Sequence, residues 1–251
     1  MRHPDPPAST DAASAAPVTV ELDCATVVID GRTIIAPTTL TLKERRIGII
    51  GANGSGKSTF ARLLNGLIVP SSGTVRVDGL DTAKEAARVR RTVGFVFQNP
   101  DNQIVFPIVA EDMAFGLKNS GLPKAEIPAR VADGLSRFGI GHLAERASHS
   151  LSGGEKQLAA LAAVLVMRPR LVVFDEPTTL LDLKNRNRIR DVIDALAESA
   201  LVVTHDLDLV ARFERVLVIE DGRIAADDAP AAAVAPPALI EGLIMSGLRP
   251  G

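Results

Sequence analysis

The sequence of 251 residues contains no tryptophan or tyrosine and has one cysteine, Cys24. A single cysteine excludes an intramolecular disulfide scaffold and suits a reducing compartment. The longest apolar run, Leu158–Met167, has about half of the roughly 20 residues that a membrane-spanning helix needs. The net charge of −2 gives no basic surface of the kind that attracts nucleic acid or anionic lipid.

Hydrophobic residues make up 46% of the chain, a value typical of globular proteins. Residues 1–17 are rich in proline, alanine and serine, and they are predicted to form a disordered leader. Residues 18–228 are predicted to form one domain, and residues 229–251 a linker and C-terminal tail.

Strand and helix patterns alternate through this domain. Short β-branched segments at 18–22, 25–29, 32–35 and 39–42 predict strands near the beginning. Continuous apolar runs such as RIGII (residues 46–50) are typical of strands buried on both faces. Their alternation with helical segments predicts an α/β fold with a parallel sheet.

The pattern becomes helical from Pro107 to Ser150. Four apolar residues, Ile127, Val131, Leu135 and Phe138, lie on one helical face. We therefore predict a separate helical subdomain over about residues 99–152.

A glycine-rich segment, GANGSGKST, follows the first apolar run and fits the pattern G-x-x-x-x-G-K-S. Glycines allow backbone N–H groups to approach a phosphate, Lys57 can bind the β- and γ-phosphates, and the Ser58 hydroxyl can ligate Mg²⁺. A helix from Lys57 to Asn65, stopped by Gly66, would point its positive end at the anion. The predicted nucleotide-binding residues are Gly51, Ala52, Asn53, Gly54, Ser55, Gly56, Lys57, Ser58 and Thr59.

Two adjacent carboxylates end the apolar strand LVVF at residues 171–174. Neighbouring strand residues point to opposite sides, so Asp175 and Glu176 are predicted to have different roles. Asp175 would hold the Mg²⁺ shell, and Glu176 would polarise the attacking water. The alternative is a strand that leaves the core with two solvated acids.

The segment LSGGEKQ begins at Leu151. Ser152 and Glu155 predict a capping box for a helix over residues 153–167. Two glycines in the first turn weaken a helix, but they would let backbone N–H groups approach a second anion. This second phosphate site and the first cannot bind one nucleotide from the same side without a second subunit or a large fold-back.

Together these segments resemble the ABC-type ATPases. The Walker A segment is Gly51–Thr59, the signature is Leu151–Glu155 and Walker B is Leu171–Glu176. Thr178–Asp182 resembles the D-loop, Gln98 the Q-loop glutamine and His205 the switch histidine. The resemblance covers about residues 18–228 and implies a P-loop fold with a parallel sheet core, an antiparallel β subdomain and an α-helical subdomain.

The resemblance also implies ATP and Mg²⁺ as cofactors and a head-to-tail dimer of ATPase subunits. ATP would lie between Walker A of one subunit and Ser152, Gly153 and Gly154 of the other. His205 would hold the γ-phosphate and the water, and Gln98 would link Mg²⁺ to the helical subdomain. The catalytic candidates are Glu176, His205, Lys57 and Gln98, and the metal ligands Ser58, Gln98 and Asp175. The alternatives are a structural histidine and an ordinary amide at the end of a strand.

One departure from the family pattern concerns recognition of the nucleobase. Ile29 stands where the family usually places an aromatic residue that stacks on adenine, which predicts weak discrimination between ATP and GTP.

The segment Val96–Leu117 resembles the ATPases of energy-coupling-factor importers, which take up vitamins or Ni²⁺ and Co²⁺ ions. The resemblance implies a peripheral protein at the cytoplasmic face of the membrane, with a second ATPase subunit, a transmembrane coupling subunit and a substrate-binding membrane subunit as partners. The apolar run Ile104–Val109 would be a docking surface, or else ordinary core. The other function considered is a soluble ABC-type ATPase that acts on nucleic acid or ribosomes. The sequence has no basic block or heptad run that favours it, so no nucleic-acid partner is expected.

Overall fold

The computed structural model describes residues 16–179 and 181–233. The strands are β1 (Val20–Ile29), β2 (Arg32–Leu42), β3 (Arg46–Ile50), β4 (Ser72–Val77), β5 (Leu80–Asp81), β6 (Val93–Val96), β7 (Leu171–Asp175), β8 (Ser199–Val203), β9 (Arg215–Glu220) and β10 (Arg223–Asp228). The helices are α1 (Lys57–Leu63), α2 (Ala86–Thr92), α3 (Val109–Asn119), α4 (Ile127–Arg137), α5 (Gly153–Leu165), α6 (Leu183–Asp194), α7 (Leu207–Val210) and α8 (Pro230–Ala233).

These strands form two sheets. The order in the first is β2-β1-β4-β5, and its pairs are antiparallel. The order in the second is β10-β9-β3-β8-β7-β6, in which the pairs from β9 to β6 are parallel and β10 is antiparallel to β9. The predicted fold, a parallel sheet accompanied by an antiparallel sheet and helices, is confirmed.

Side chains of the parallel sheet are buried on both faces. In β7, Val172 and Phe174 belong to the hydrophobic cluster that includes α3 to α6. Leu171 and Val173 belong to the other cluster, with β1, β2 and α1. This alternation explains the continuous apolar runs, because a strand covered on both faces has no position for a solvated side chain.

The helical region packs on the first of these clusters. Ile127, Val131, Leu135 and Phe138 are buried, as the periodicity predicted. The limits of the helical subdomain, about residues 99–152, stay a prediction. Most of the predicted leader and tail, residues 1–15 and 234–251, lies outside the described residues, as does residue 180 of the D-loop. Within the described part of the chain, none of the helices has the length and apolar content that crossing a membrane requires.

Several elements differ from the sequence expectations. Two predicted strands, 32–35 and 39–42, form the single strand β2, which passes through Pro37. Because β2 lies at the edge of its sheet, a residue without an N–H is tolerated there. The first two predicted strands likewise join as β1, with a left-handed residue at Cys24 (φ 45°). Helix α1 ends two residues before the predicted Asn65, and α5 ends at Leu165, two residues before the predicted residue 167.

Candidate active site

A cavity of about 420 Å³ lies at the carboxyl ends of β3, β7 and β8, which are neighbours in the parallel sheet. Side chains and backbone from the glycine-rich loop, α1 and the segments after β6, β7 and β8 line it. The lining residues are Ile34, Asn53, Gly54, Gly56, Lys57, Ser58, Thr59, Gln98, Glu176, Thr179 and His205. The structure therefore brings the predicted phosphate-binding loop together with Gln98, Glu176 and His205.

The glycine-rich loop folds back around Lys57. The Lys57 ammonium donates hydrogen bonds to the carbonyl oxygens of Gly51 (2.9 Å) and Ala52 (2.8 Å). Burial lowers the pKa of this ammonium, although the carboxylates of Glu176 and Asp175 act in the opposite direction. A buried cation at the wall of a cavity, beside the N-terminus of α1, favours an anionic ligand.

The loop is anchored to the β9–β10 turn. Gly51 has φ 149°, and a Cβ there would lie 2.1 Å from the carbonyl oxygen of Ile219, so no larger residue fits. In the turn that follows β9, the Gly222 N–H donates to the Ser55 carbonyl (2.9 Å), while the Gly222 carbonyl accepts from the Ala36 N–H of β2 (2.8 Å). One turn thus joins the phosphate-binding loop to the antiparallel sheet.

The predicted metal ligands Ser58 and Asp175 are in direct contact. The Ser58 hydroxyl donates to Asp175 Oδ1 (2.6 Å), and Gln98 lines the same cavity. A hydroxyl, a carboxylate and an amide are oxygen donors of the kind that bind Mg²⁺ together with phosphates and water, so these residues fit the ion. Arg62, which sequence reasoning missed, lies 3.4 Å from the other oxygen of Asp175. Its position four residues after Ser58, on the same face of α1, was the available signal.

Glu176 forms a hydrogen-bonded group with His205 and Thr179. Its Oε2 accepts from His205 Nδ1 and from Thr179 Oγ1, each at 2.8 Å. Glu176 has a left-handed backbone (φ 54°), and the two adjacent carboxylates contact different partners. Thr179 was not predicted as a partner of Glu176; its hydroxyl three residues later was the only signal.

The electrostatics of the pair favour an ionised carboxylate. Burial acts to raise the pKa of Glu176, but the hydrogen bonds from His205 and Thr179 outweigh it, and the pKa lies below its ordinary value of 4.5. The hydrogen bond to Glu176 raises the pKa of His205 above 6.5. The structure therefore presents an anionic Glu176 at the cavity, with a histidine that donates to it.

None of the signature residues Ser152, Gly153 and Gly154 lines this cavity, but Gly153 lines a second, smaller cavity that shares Gln98 with it. The predicted capping box is present: Glu155 Oε2 accepts from the Ser152 N–H (2.8 Å), and the Ser152 hydroxyl accepts from the Glu155 N–H (3.3 Å). A Cβ on Gly154 would lie 2.3 Å from Asn185 of α6, whereas a Cβ on Gly153 would meet open space. Among the described residues, a side chain therefore packs beside Gly154, and none packs beside Gly153.

The surface expected to contact the nucleobase is aliphatic. Ile29 is 44% exposed at the end of β1, and Ile34 of β2 lines the cavity beside the glycine-rich loop. Ile34 was not singled out from the sequence, because its place against the loop depends on how β2 packs.

Comparison with known proteins places these features in a family. The ABC transporter family model matches residues 37–179. The chain is 54% identical over 216 residues to the biotin transport ATP-binding protein BioM of Rhizobium etli, covering 86% of this chain and 96% of the relative. It is 45% identical over 205 residues to the cobalt import ATP-binding protein CbiO of Syntrophus aciditrophicus, covering 79% and 73%.

A solved structure agrees with these relatives. It is cbiO1 from Clostridium perfringens, described as part of the ABC transporter complex cbiONQ. It has a TM-score of 0.76 and 33% sequence identity to this chain, with 90% of this chain and 94% of the other covered. On the family match, the sequence identities and the shared fold, this chain belongs to the ABC transporter family, as one of its ATP-binding ATPase subunits.

Proposed function

We propose that this chain is the ATP-hydrolysing subunit of an energy-coupling-factor importer and works at the cytoplasmic face of the membrane. The contact of Glu176 with His205, in one cavity with Lys57 and Ser58, carries the enzymatic part of this proposal. Such a site supplies a phosphate-binding cation, a position for a metal ion and a base within one small volume.

The residues have distinct tasks in hydrolysis. Lys57 and the loop N–H groups bind the β- and γ-phosphates of ATP. Ser58, Asp175 and Gln98 would hold Mg²⁺, which would neutralise phosphate charge. Glu176 accepts the proton of the attacking water.

The two carboxylate oxygens of Glu176 differ in their hydrogen bonding. Both described contacts go to Oε2, and no hydrogen bond among the described residues goes to Oε1, so Oε1 is the oxygen that takes the proton. His205 keeps the carboxylate ionised and oriented.

A second ATPase subunit completes the site. Ser152 and Gly153 are exposed, and the open space beside Gly153 permits close approach by a nucleotide held on another subunit. Head-to-tail pairing brings this signature segment to the partner's phosphates, which accounts for two phosphate-binding segments on one chain.

An apolar surface of the helical region supports docking on a transmembrane coupling subunit. Val105 is 74% exposed, and the ring of Phe106 packs on that of the exposed Phe115, with centroids 4.9 Å apart. Asp112 accepts hydrogen bonds from the N–H groups of Val105 (2.8 Å) and Phe106 (2.9 Å), which holds the segment on α3. We define residues 105, 106 and 115 as the apolar docking surface.

The cargo we propose is a micronutrient bound by a separate membrane subunit. The names of the relatives support biotin or cobalt, and nickel belongs to the same metal class. We place biotin first because the BioM relative of Rhizobium etli is 54% identical to this chain, against 45% for the CbiO relative.

Isolation of the native complex tests the proposal. Membranes from cells with a tagged chain are solubilised, and the bound proteins and ligands are identified by mass spectrometry, in parallel with uptake of labelled biotin and cobalt. We expect two membrane proteins, a second ATPase copy or paralogue, and uptake that stops in the Glu176→Gln strain. Recovery in the soluble fraction with ribosomes or RNA, and unchanged uptake, would instead support a non-transport ATPase.

A further inference from the structure

Helix α6 contacts three regions that have different roles in the proposed function. Asn185 packs against Gly154 of the signature segment. The Arg188 guanidinium donates to the carbonyl oxygen of Phe138, at the end of α4 (2.6 Å). Arg190 pairs with Asp206, the residue that follows His205. One short helix therefore contacts the signature, the helical region and the loop that bears the histidine.

The pair of Arg190 and Asp206 is bidentate and largely buried. Arg190 Nε donates to Asp206 Oδ2 (2.8 Å), and Arg190 Nη2 donates to Oδ1. The side chains are 21% and 8% exposed. Two parallel hydrogen bonds to a planar guanidinium fix the orientation of a carboxylate as well as its position.

The rest of the loop is held in the same way. The Asp206 N–H donates to Thr204 Oγ1 (3.0 Å), and Asp206 Oδ1 accepts from the Leu209 N–H at the start of α7 (3.2 Å). His205 lies between the two fixed residues, and its contact with Glu176 is 2.8 Å long. A displacement of about 1 Å breaks such a contact, and misplacement of that size can cost about 100-fold in rate.

We propose that Arg190 is a positioning residue for His205. Through Asp206 it holds the loop so that His205 Nδ1 stays on Glu176, and its place on α6 makes the position of the histidine depend on the signature and the helical region. This inference rests on the proposed hydrolysis of ATP at Glu176.

The chain offers a matched control. Arg212 Nη1 contacts Asp194 Oδ2 (2.9 Å), which also links α6 to the segment beyond α7. That pair is exposed, with 71% of the Arg212 side chain accessible, and exposed pairs contribute little to stability. Arg212→Met thus removes a comparable ion pair that does not flank the histidine.

The experiment compares Arg190→Met, Arg190→Lys and Arg212→Met in the full chain. We expect Arg190→Met to lower kcat at least ~10-fold and to change the KM for ATP less than ~3-fold. Arg190→Lys, which cannot form both hydrogen bonds, should fall between it and the wild type, and Arg212→Met should match the wild type. A wild-type kcat for Arg190→Met would overturn the proposal.

Two further variants separate positioning from folding. Arg190→Met with Asp206→Asn removes both charges, leaves no unpaired buried carboxylate, and should melt near the wild-type temperature while kcat stays low. In a His205→Ala background, Arg190→Met should lower single-turnover hydrolysis by less than ~2-fold, because its target is gone. A full further loss in that background would mean that Arg190 acts elsewhere.

If the wild type does not hydrolyse ATP, the proposed function fails and positioning is judged by NMR alone. At fixed pH, Arg190→Met should shift the ring resonances of His205 and leave those of exposed His142 unchanged. Unchanged His205 resonances would overturn the positioning role independently of activity.

Discussion

At the scale of single residues, a substitution at Glu176 tests whether this residue is the catalytic base. Glu176→Gln keeps the shape of the side chain and its contacts with Thr179 and His205 but removes the charge that accepts a proton. We expect turnover to fall at least ~100-fold while MgATP binding persists, and the ATP-bound dimer to survive gel filtration. The exposed Glu126→Gln is the control, and turnover within a few-fold of the wild type for Glu176→Gln would rule out this base.

The pair of Glu176 and His205 also predicts a pH dependence of stability. The raised pKa of His205 means that its contribution is complete below pH 6.5 and is lost as the pH rises through the folded pKa. The lowered pKa of Glu176 means that its contribution is complete above pH 4.5 and is lost as the pH falls through its folded pKa. The pair therefore stabilises the nucleotide-free protein most between these values.

Thermal melting of His205→Ala checks this expectation. The melting temperature should fall further below that of the wild type at about pH 5.5 than at about pH 8.5, since the charged histidine is lost at high pH. His142→Ala, at an exposed position, should show no such trend. An equal difference at the two pH values would contradict a stabilising ion pair.

At the scale of elements, the two adjacent glycines at the N-terminus of α5, Gly153 and Gly154, are expected to have different roles. Gly154→Ala places a Cβ 2.3 Å from Asn185 and should lower the melting temperature; shortening the neighbour with Asn185→Ala should restore it. Gly153→Ala meets open space and should leave melting unchanged or raise stability by up to about 1 kcal/mol. If Gly153 faces the partner's nucleotide, Gly153→Ala nevertheless loses hydrolysis. Full activity in Gly153→Ala would argue against a nucleotide at this position.

Some elements could be predicted from the sequence because local rules determine them. The capping box at Ser152, the P-loop and the buried face of α4 each follow from residue spacing within one turn or one segment. Strands β5 and β10 and helix α2 were not predicted, because they are short or exposed and form through pairing with distant segments. The partners Arg62, Thr179 and Arg190 were missed since a contact between distant side chains depends on packing that periodicity does not determine.

At the scale of the whole molecule, the apolar docking surface predicts a loss of assembly without a loss of folding. Val105→Glu puts a charge on a side chain that is 74% exposed, so it should remain soluble with near-normal basal ATPase activity. It should fail to copurify with the membrane subunits and should stop uptake in cells. Phe106→Glu should behave alike but melt lower, because it also removes the ring contact with Phe115.

A charge change elsewhere on the same region provides the control. Lys118→Glu, at the exposed end of α3, should assemble and transport normally. Full transport by Val105→Glu, or misfolding of both docking variants, would remove the support for this surface.

The β9–β10 turn has a practical consequence for anyone who labels this protein. An Asp-Gly turn between two strands invites insertion of an epitope or fluorophore, yet here Gly222 is hydrogen-bonded to both Ser55 and Ala36. An insertion would separate the phosphate-binding loop from the antiparallel sheet. A label at this position would therefore be attached to an enzyme with a disrupted nucleotide site. The turn at Gly121, between α3 and α4, has open space beside it and offers a safer position for an inserted label, provided that Gly121 itself is kept, because its φ of 85° favours glycine.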